Sequence, residues 1–269
     1  MTASHDTYSH GHHASVLRSH GRRTTENSAA YLLPSLDPDA RVLDVGTGPG
    51  TITCDLADRV PQGSVVGIDN AEAAVAAARD LAERRGTGNL TLAVGDVYAL
   101  DFGAEEFDVV HAHQVLQHLS DPVAALREMS RVCRAGGLVA ARDADYGTMT
   151  WFPGSAALDR WLDLYRQVAR HNGGEPEAGR RLKSWARRAG LSSVEVSAST
   201  WSFGSEDDLR WWSQTWSERV VHSDFARQAV AAGLSDPAEL ADLSRGWLEW
   251  ATAPDAWFAM IHTEILARP

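Results

Sequence analysis

The sequence predicts an α/β fold in which a mostly parallel β-sheet is covered by helices on both faces. Short apolar runs alternate with helical stretches over residues 41–142, an order that builds parallel sheets with right-handed crossovers. A glycine-rich loop follows the first apolar run. All ten tryptophans lie beyond residue 150, so we expect the second half to have a different role from the first.

The first half supplies five predicted strands. The helix after the fourth strand has Ser120 or Asp121 as its cap and Pro122 in its first turn. In chain order, the predicted elements are a strand at 41–45, a helix at 51–60, a strand at 64–69, a helix at 71–86, strands at 90–94 and 107–112, a helix at 120–137 and a strand at 138–142.

The second half is predicted to be mainly helical. The predicted elements are helices at 155–172 and 179–190, a strand at 194–203, and helices at about 206–220, 224–233 and 236–252. The last segment, 256–267, could be a helix, but its aromatic and β-branched residues favour a strand.

Composition argues against several classes of function. The net charge of −11 disfavours nucleic acid as the partner, because its phosphates are bound through positive charge. No apolar run reaches the roughly 18 residues of a membrane span, and the polar amino terminus does not resemble a secretory signal. Cys54 and Cys133 lie in helical patterns and are expected to be buried thiols, so the expected location is cytoplasmic.

The glycine loop "VLDVGTGPGTIT" indicates which ligand the sheet binds. Gly46, Gly48 and Gly50 have the spacing G-x-G-x-G, whereas dinucleotide-binding loops have G-x-G-x-x-G. Asp44 precedes the loop, where a carboxylate would repel a pyrophosphate and attract a cation. S-adenosylmethionine carries a sulfonium and an ammonium, so it fits better than NAD. The alternative is that Asp44 only hydrogen-bonds the loop amides.

Two more acidic residues follow predicted strands. Asp69 ends the second strand, where a carboxylate can accept both hydroxyls of a ribose. Asp96 follows the third strand and can accept the amino group of adenine, while Val97 offers an apolar face to the ring. Each could be a loop acid alone, but three in succession beside the glycine loop indicate a nucleoside site.

These motifs resemble the class I S-adenosylmethionine-dependent methyltransferases. The matching stretches are "VLDVGTGPGT", "VVGIDNA", "VGDVYALDF", "FDVVHAHQVLQHLSDPVAALREMSRVCRAGGLV" and "AGLSSVEV", within residues 36–200. They are most similar to the branch that includes ubiquinone and menaquinone biosynthesis enzymes and bacterial secondary-metabolite enzymes. The resemblance implies a Rossmann-like, seven-stranded sheet whose last strand is antiparallel.

The resemblance also implies roles for individual residues. The cofactor-binding set would be Asp44, Gly46, Thr47, Gly48 and Gly50 for the methionine part, Asp69 and Asn70 for the ribose, Asp96 and Val97 for the adenine, and His113 and Gln114 facing the cofactor. His113 and His118 are candidate bases, because an unperturbed histidine titrates near neutral pH. His118 could instead anchor the next helix, and Tyr146 is either a substrate contact or wall packing. His262 has no partner evident in the sequence.

Two differences from related methyltransferase families restrict the expected substrate and cofactors. The Asn/Asp-Pro-Pro-Tyr/Phe motif of enzymes that methylate DNA bases is replaced by "HAHQVLQHL", so a DNA substrate is not expected. Catechol-type enzymes need metal-binding acids after the fourth and fifth strands. Asp143 and Asp145 follow the fifth strand, but the fourth ends in His111–His113, so no metal is expected and the two acids are expected to cap or bond loops.

The resemblance gives the histidine-rich amino terminus a role. Five of the eleven histidines lie in the first twenty residues, without the acids or cysteines of a typical metal site. In the family this segment covers the carboxyl ends of the strands, so Tyr8, His10 and His13 are predicted to be lid residues near the reacting groups. Arg23 or Arg22 would pair with the cofactor carboxylate. The alternative is a disordered tail to about residue 14.

The predicted organisation is an N-terminal helical lid at 1–35, a cofactor-binding core at 36–204 with a helical insertion at about 146–178, and a helical, tryptophan-rich substrate cover at 205–269. The predicted function is methyl transfer to O, N or C of a small, aromatic or polyketide-like metabolite by a monomer or homodimer. Alternatives are a quinone-precursor C-methyltransferase of primary metabolism and a non-catalytic S-adenosylmethionine-binding protein.

Overall fold

The computed structural model describes residues 21–269 and confirms the α/β fold. The strands are β1 Arg41–Val45, β2 Ser64–Asp69, β3 Leu90–Val94, β4 Phe107–His113, β5 Cys133–Ala144, β6 Thr150–Phe152, β7 Ser192–Phe203 and β8 Trp257–Arg268. They form one sheet in the order β3-β2-β1-β4-β5-β8, with β6 and β7 both paired to β8. Strands β1 to β5 are parallel, and β8 is antiparallel to its neighbours.

The short strand β6 adds an eighth strand to the seven that were expected. Strand β5 pairs only with His262–Ala267 of β8, so the first residues of β8 extend beyond it. Strand β6 pairs with Trp257–Ala259 and satisfies the backbone groups that β5 leaves open.

Helices cover both faces of the sheet. They are α1 Thr25–Ser28, α2 Thr51–Arg59, α3 Glu72–Arg85, α4 Pro122–Val132, α5 Ala156–His171, α6 Leu182–Ala189, α7 Glu206–His222, α8 Asp224–Ala231 and α9 Pro237–Trp250. One apolar core joins α4 and α6 to the sheet, and another joins α2 and the segment after α1 to the opposite face. Asp121 caps α4, since its Oδ1 accepts from Ala124 N at 3.0 Å.

The helix predicted at 120–137 ends five residues early. Helix α4 stops at Val132, and Cys133 begins β5 by pairing with Phe107 of β4. The register then shifts before Val109 pairs with Leu138, and Gly136 has a φ of +76° in the irregular stretch. The glycines therefore lie in an irregular strand entry instead of a helix cap. Both cysteines are buried free thiols, although Cys133 is on a strand.

The helical cover is assembled from two separate parts of the chain. Helix α5 follows β6, whereas α7, α8 and α9 lie between β7 and β8. Their shared core contains the fully buried Trp161, Trp216 and Trp247. The ring of Trp161 lies 4.4 Å from that of Trp216 and 4.7 Å from that of Trp247, in edge-on contacts that stabilise aromatic cores. These three tryptophans pack against one another in the core of the helical cover.

A candidate active site at the carboxyl ends of the strands

The glycine loop lies where the strand order reverses, between β1 and β2 on one side and β4 on the other. Gly46, Gly48 and Gly50 all have positive φ, at +75°, +52° and +83°. The amides of Gly46 and Thr47 both donate to the carbonyl of Ile68, at 2.8 and 3.0 Å. These bonds fix the loop against the end of β2.

Close neighbours explain why glycine is needed in the loop. A Cβ on Gly46 would overlap the side chain of Val115, and a Cβ on Gly50 would lie 2.7 Å from that of Ala78. The loop is therefore held between α3 and the segment after β4. The glycines are therefore required by the packing and the backbone conformation of the loop.

Asp69 connects the end of β2 to the glycine loop. Its Oδ2 accepts from Gly48 N at 2.9 Å, and its Oδ1 accepts from Ala71 N at 3.0 Å. A carboxylate has about four acceptor positions, so two remain for the hydroxyls of a ribose. Asn70 is exposed next to it.

Asp96 and Val97 lie at the end of β3 as the sequence predicts. Asp96 is exposed, and its Oδ1 accepts from Tyr98 N at 2.9 Å. Val97 is buried. An acceptor thus lies beside an apolar surface, which suits an adenine ring.

Asp44 is buried beneath the loop. Its Oδ2 accepts from the hydroxyl of Thr53 at 2.6 Å, and its Oδ1 is 2.7 Å from Nδ1 of His111. Asp44 thereby joins β1 to both α2 and β4. These two partners are enough to explain the position of Asp44, without a bond to a loop amide or to a cationic ligand. Contact of Asp44 with a cofactor stays a prediction.

A polar cluster, buried apart from the half-buried Gln114, lies beside the loop on the sheet face that carries His111. We define the polar cluster as His113, Gln114, Arg142, His262 and Glu264. The Arg142 guanidinium is fully buried, and its Nε lies 3.2 Å from both Glu264 Oε1 and the Ser199 hydroxyl. This ion pair joins β5 to β8 directly below the two histidines.

Arg23 and Gln114 connect the N-terminal side of the chain to this cluster. Arg23 Nη2 donates to Gln114 Oε1 at 2.7 Å, and Gln114 Nε2 lies 2.8 Å from His262 Nε2. Arg22, which was also considered for the cofactor carboxylate, instead contacts Asp208 at 3.5 Å and lies over the ring of Trp211. Pairing of Arg23 with a cofactor carboxylate stays a prediction.

Comparison with known proteins assigns the family. The methyltransferase domain family matches residues 36–190, more than half of the chain. The chain belongs to this methyltransferase family. An uncharacterised methyltransferase of Schizosaccharomyces pombe is 33% identical over 96% of this chain and 95% of its own length.

Two further comparisons extend this finding. The aklanonic acid methyltransferase DauC of a Streptomyces species is 33% identical over 55% of this chain and 69% of its own. Phosphoethanolamine N-methyltransferase 2 of Haemonchus contortus, solved with S-adenosylhomocysteine, shares the fold with a TM-score of 0.56 at 19% identity, over 89% of this chain and 52% of that one.

The methyltransferase uses S-adenosylmethionine as its cofactor, and the described residues fit it. The loop turns through three residues with positive φ at the strand ends, Asp69 retains acceptor positions, and Asp96 is exposed beside Val97. When bound, the cofactor supplies a methyl group on a positively charged sulfur. Within residues 21–269, no group of three His, Cys, Asp or Glu side chains is placed to hold a metal ion, and no helix is long and apolar enough to cross a membrane.

Burial and positive charge keep both histidines of the cluster neutral. Burial lowers the pKa of His113 well below its usual value, and Arg142 and Arg23 lower it further. The same causes lower the pKa of His262. Both ring nitrogens of His113, and Nδ1 of His262, are buried without a hydrogen-bond partner among the described residues. The methyltransferase thus has unused imidazole nitrogens beside the cofactor loop.

The other candidates lie in different surroundings. His118 Nε2 is 3.0 Å from the amide nitrogen of Gln117, in the short 3₁₀ helix before α4. The ring of Tyr146 stacks on that of Tyr165 at 4.1 Å in the core of the helical cover. This packing is what we expect if Tyr146 is part of the wall and does not contact the substrate. Tyr8, His10 and His13 lie outside the described residues.

The two acids at the end of β5 have structural partners, with Asp143 inside the strand and Asp145 directly after it. Asp143 Oδ1 accepts from Gln117 N at 3.1 Å, and burial raises the pKa of Asp143 to about 8. Asp145 accepts from Gly147 N and binds the Arg180 guanidinium with both oxygens, at 2.6 and 2.8 Å. Both acids therefore bond loops, as the sequence analysis expects.

Sequence reasoning missed His262, Arg142 and Trp201. The ring of Trp201 lies 4.3 Å from that of His262 and 6.1 Å from that of His113, and its Nε1 donates to Asn27 O at 2.8 Å. A weak signal existed, because His262 and Glu264 are two apart in a predicted strand and so share a face. The pairing of that strand with β5 was not evident from the sequence.

Proposed function

We propose that this methyltransferase transfers the methyl group of S-adenosylmethionine to an oxygen, nitrogen or carbon atom of a small aromatic or polyketide-like metabolite. The observation that carries the proposal is the group of three rings formed by His113, His262 and Trp201. Two neutral imidazoles offer hydrogen bonds without charge, and the indole offers an apolar wall. A flat, uncharged molecule with few polar groups suits such a site.

The cofactor role rests on the loop and the strand ends. The glycine loop, with Thr47, holds the methionine part, Asp69 and Asn70 hold the ribose, and Asp96 and Val97 hold the adenine. This assignment follows from the backbone conformation of the loop and from the positions of the acids at the ends of β2 and β3.

His113 is the proton acceptor for a nucleophile that carries a proton. Its lowered pKa keeps the ring unprotonated, so a nitrogen lone pair is available throughout the neutral range. The ring is also buried, which excludes water from the reacting atoms. Tyr146 and His118 are less suitable, because Tyr146 is packed in the cover and His118 bonds to Gln117.

Charge and relatives support a small-molecule substrate. The net charge of −11 disfavours nucleic acid. The relative named aklanonic acid methyltransferase supports a polyketide-type substrate. A quinone precursor remains the alternative substrate.

Turnover with a defined panel tests the proposal. The purified protein is incubated with methyl-labelled S-adenosylmethionine and phenols, aromatic polyketides or quinone precursors, and products are mapped by mass spectrometry. We expect S-adenosylhomocysteine release with at least one aromatic metabolite. Cofactor binding by calorimetry without release for any compound would indicate a non-catalytic binder, and methylation of protein or nucleic acid alone would refute the proposal.

A matched pair of variants tests the role of His113. His113→Phe keeps a ring but removes both nitrogens, so we expect kcat to fall by about 10²- to 10⁴-fold with the affinity for the cofactor retained. His171→Phe, at an exposed position on α5, is the control and should match the parent protein. Equal kcat in the two variants would remove His113 from the reaction.

A further inference from the structure

The hydrogen bonds around Gln114 determine which nitrogen of His262 carries a proton. A guanidinium only donates, so the Gln114 atom that accepts from Arg23 at 2.7 Å must be the amide oxygen. The amide nitrogen therefore faces His262. An amide NH₂ also only donates, so Nε2 of His262 must accept through its lone pair.

The proton of neutral His262 therefore lies on Nδ1. This atom is buried and has no hydrogen-bond partner among the described residues. A buried N–H without a partner is unfavourable, and such groups in native proteins are usually explained by an unseen partner. Nδ1–H of His262 is thus a buried donor that the described residues leave without an acceptor.

His113 supplies a complementary group nearby. Its ring lies 6.4 Å from that of His262, at an angle of 22° between the planes. As a neutral imidazole, His113 offers one N–H and one lone pair, and the described residues bond to neither. A donor of fixed identity at His262 therefore lies beside an acceptor at His113, with the indole of Trp201 next to both.

We propose that His262 is a substrate-binding residue whose Nδ1–H donates to a carbonyl oxygen, while His113 accepts from a hydroxyl of the same molecule. The substrate class is then an aromatic hydroxyketone whose hydroxyl is not hydrogen-bonded to its own carbonyl. Arg23 and Gln114 are positioning residues, because they act by fixing the tautomer of His262. This inference rests on the proposed function and narrows its substrate class.

The first test observes the tautomer directly, without turnover. In the full-length protein labelled with ¹⁵N-histidine, the nitrogen chemical shifts of His262 should report a proton on Nδ1 and none on Nε2. Gln114→Leu removes the donor to Nε2, so a mixture with the other tautomer is expected, and Arg23→Met should give the same change in part. A proton on Nε2 in the parent protein would overturn the inference.

The second test measures recognition with three small probes. The probes are 3′-hydroxyacetophenone, which has both oxygens and no internal hydrogen bond, phenol, which lacks the carbonyl, and acetophenone, which lacks the hydroxyl. NMR titration of the cofactor-bound protein should show binding of the hydroxyketone at least about tenfold tighter than either control, the value of one well-placed hydrogen bond. Equal affinities would overturn the inference.

Substitutions at His262 connect the two tests. His262→Leu should lower the affinity for the hydroxyketone to the affinity for phenol. His262→Asn keeps a donor near the Nδ1 position and should recover part of the preference for the hydroxyketone. Circular dichroism and the melting temperature verify that each variant is folded. If both variants keep the preference for the hydroxyketone, His262 does not bind the carbonyl. Absence of methyl transfer from any substrate, with the tautomer and preference intact, would instead count against the proposed function.

Discussion

Asp44 and His111 form a buried hydrogen bond of 2.7 Å that joins β1 to β4 beneath the glycine loop. The two residues are direct neighbours in the parallel pairing of these strands. Asp44 also accepts from Thr53 in the first turn of α2. One side chain thus fixes the strand before the loop, the helix after it and the strand that carries His113.

Removing the His111 ring should destabilise the fold. His111 has no exposed surface, so His111→Ala leaves a cavity and takes one partner from Asp44. We expect the free energy of unfolding to fall by about 2–4 kcal/mol, measured by urea denaturation. His171→Ala, at an exposed position, is the control with an expected change below about 0.5 kcal/mol. Similar losses in the two variants would contradict the structural role of His111.

Gly46→Ala should weaken cofactor binding. The new methyl would overlap Val115, at a residue whose φ of +75° already disfavours a side chain. We expect affinity for S-adenosylmethionine to fall by at least about 100-fold by calorimetry, the cost of moving a packed loop.

Gly86→Ala is a control that introduces the strain of a positive φ without an overlap with a neighbouring side chain. Gly86 has a similar φ of +69° and no atom within 4 Å of its would-be Cβ. It should lose about 1 kcal/mol of stability and keep its cofactor affinity. Adding Val115→Ala to Gly46→Ala removes the overlapping methyl and should restore part of the affinity. Equal affinity losses in the Gly46 and Gly86 variants would show that packing of the loop is not the cause.

The positions of the proposed cofactor-binding residues in the fold could be predicted because their signals are local. The glycine spacing lies within five residues, and Asp69 and Asp96 each follow an apolar run that ends at the same edge of a parallel sheet. The observed strand ends place these residues as expected, apart from the burial of Asp44.

The polar cluster could not be predicted because it depends on long-range strand pairing. Gln114 and His262 are 148 positions apart and meet only because β8 lies beside β5. Residues of two helical insertions intervene, and no local pattern specifies where the chain returns to the sheet. The end of α4 was misplaced for a similar reason, since the pairing of Cys133 with Phe107 overrides local helix preference.

Stability should depend on pH through three buried groups. His113 and His262 have lowered pKa values, so below pH 6.5 the unfolded chain binds protons that the folded protein does not, and stability falls as the pH falls. Asp143 has a pKa raised to about 8, so between about pH 4 and 8 the folded protein holds a proton that the unfolded chain releases, and stability falls as the pH rises. Stability should therefore be greatest near pH 6.5.

Denaturation of three proteins across pH 5–8 measures these contributions. His262→Leu should make the acid side less steep by about 1.4 kcal/mol per pH unit, and Asp143→Asn should remove the decline on the alkaline side. The parent protein supplies the reference curve. A curve that His262→Leu leaves unchanged below pH 6.5 would mean that this histidine is protonated in the folded state.

The segment around α1 is anchored by residues beyond position 20. Helix α1 is bound on one side by Thr25 N, which donates to Asp55 Oδ2 at 3.0 Å, and on the other by Asn27 O, which accepts from Trp201 Nε1 at 2.8 Å. Deletion of residues 1–14 keeps both bonds. We expect the melting temperature to change by less than about 2 °C.

Turnover of the same deletion should fall by about tenfold or more, if residues 1–14 close the site as the sequence predicts, because closure excludes water and orients the reacting groups. A full-length triple variant, Tyr8→Ala, His10→Ala and His13→Ala, distinguishes the role of these side chains from that of the segment. If turnover falls in both proteins, the three side chains are responsible. If turnover falls in the deletion alone, the segment acts by covering the site with its backbone and other side chains. Unchanged turnover in both would refute the lid, and an equally large fall in melting temperature would show that the segment is part of the folded core.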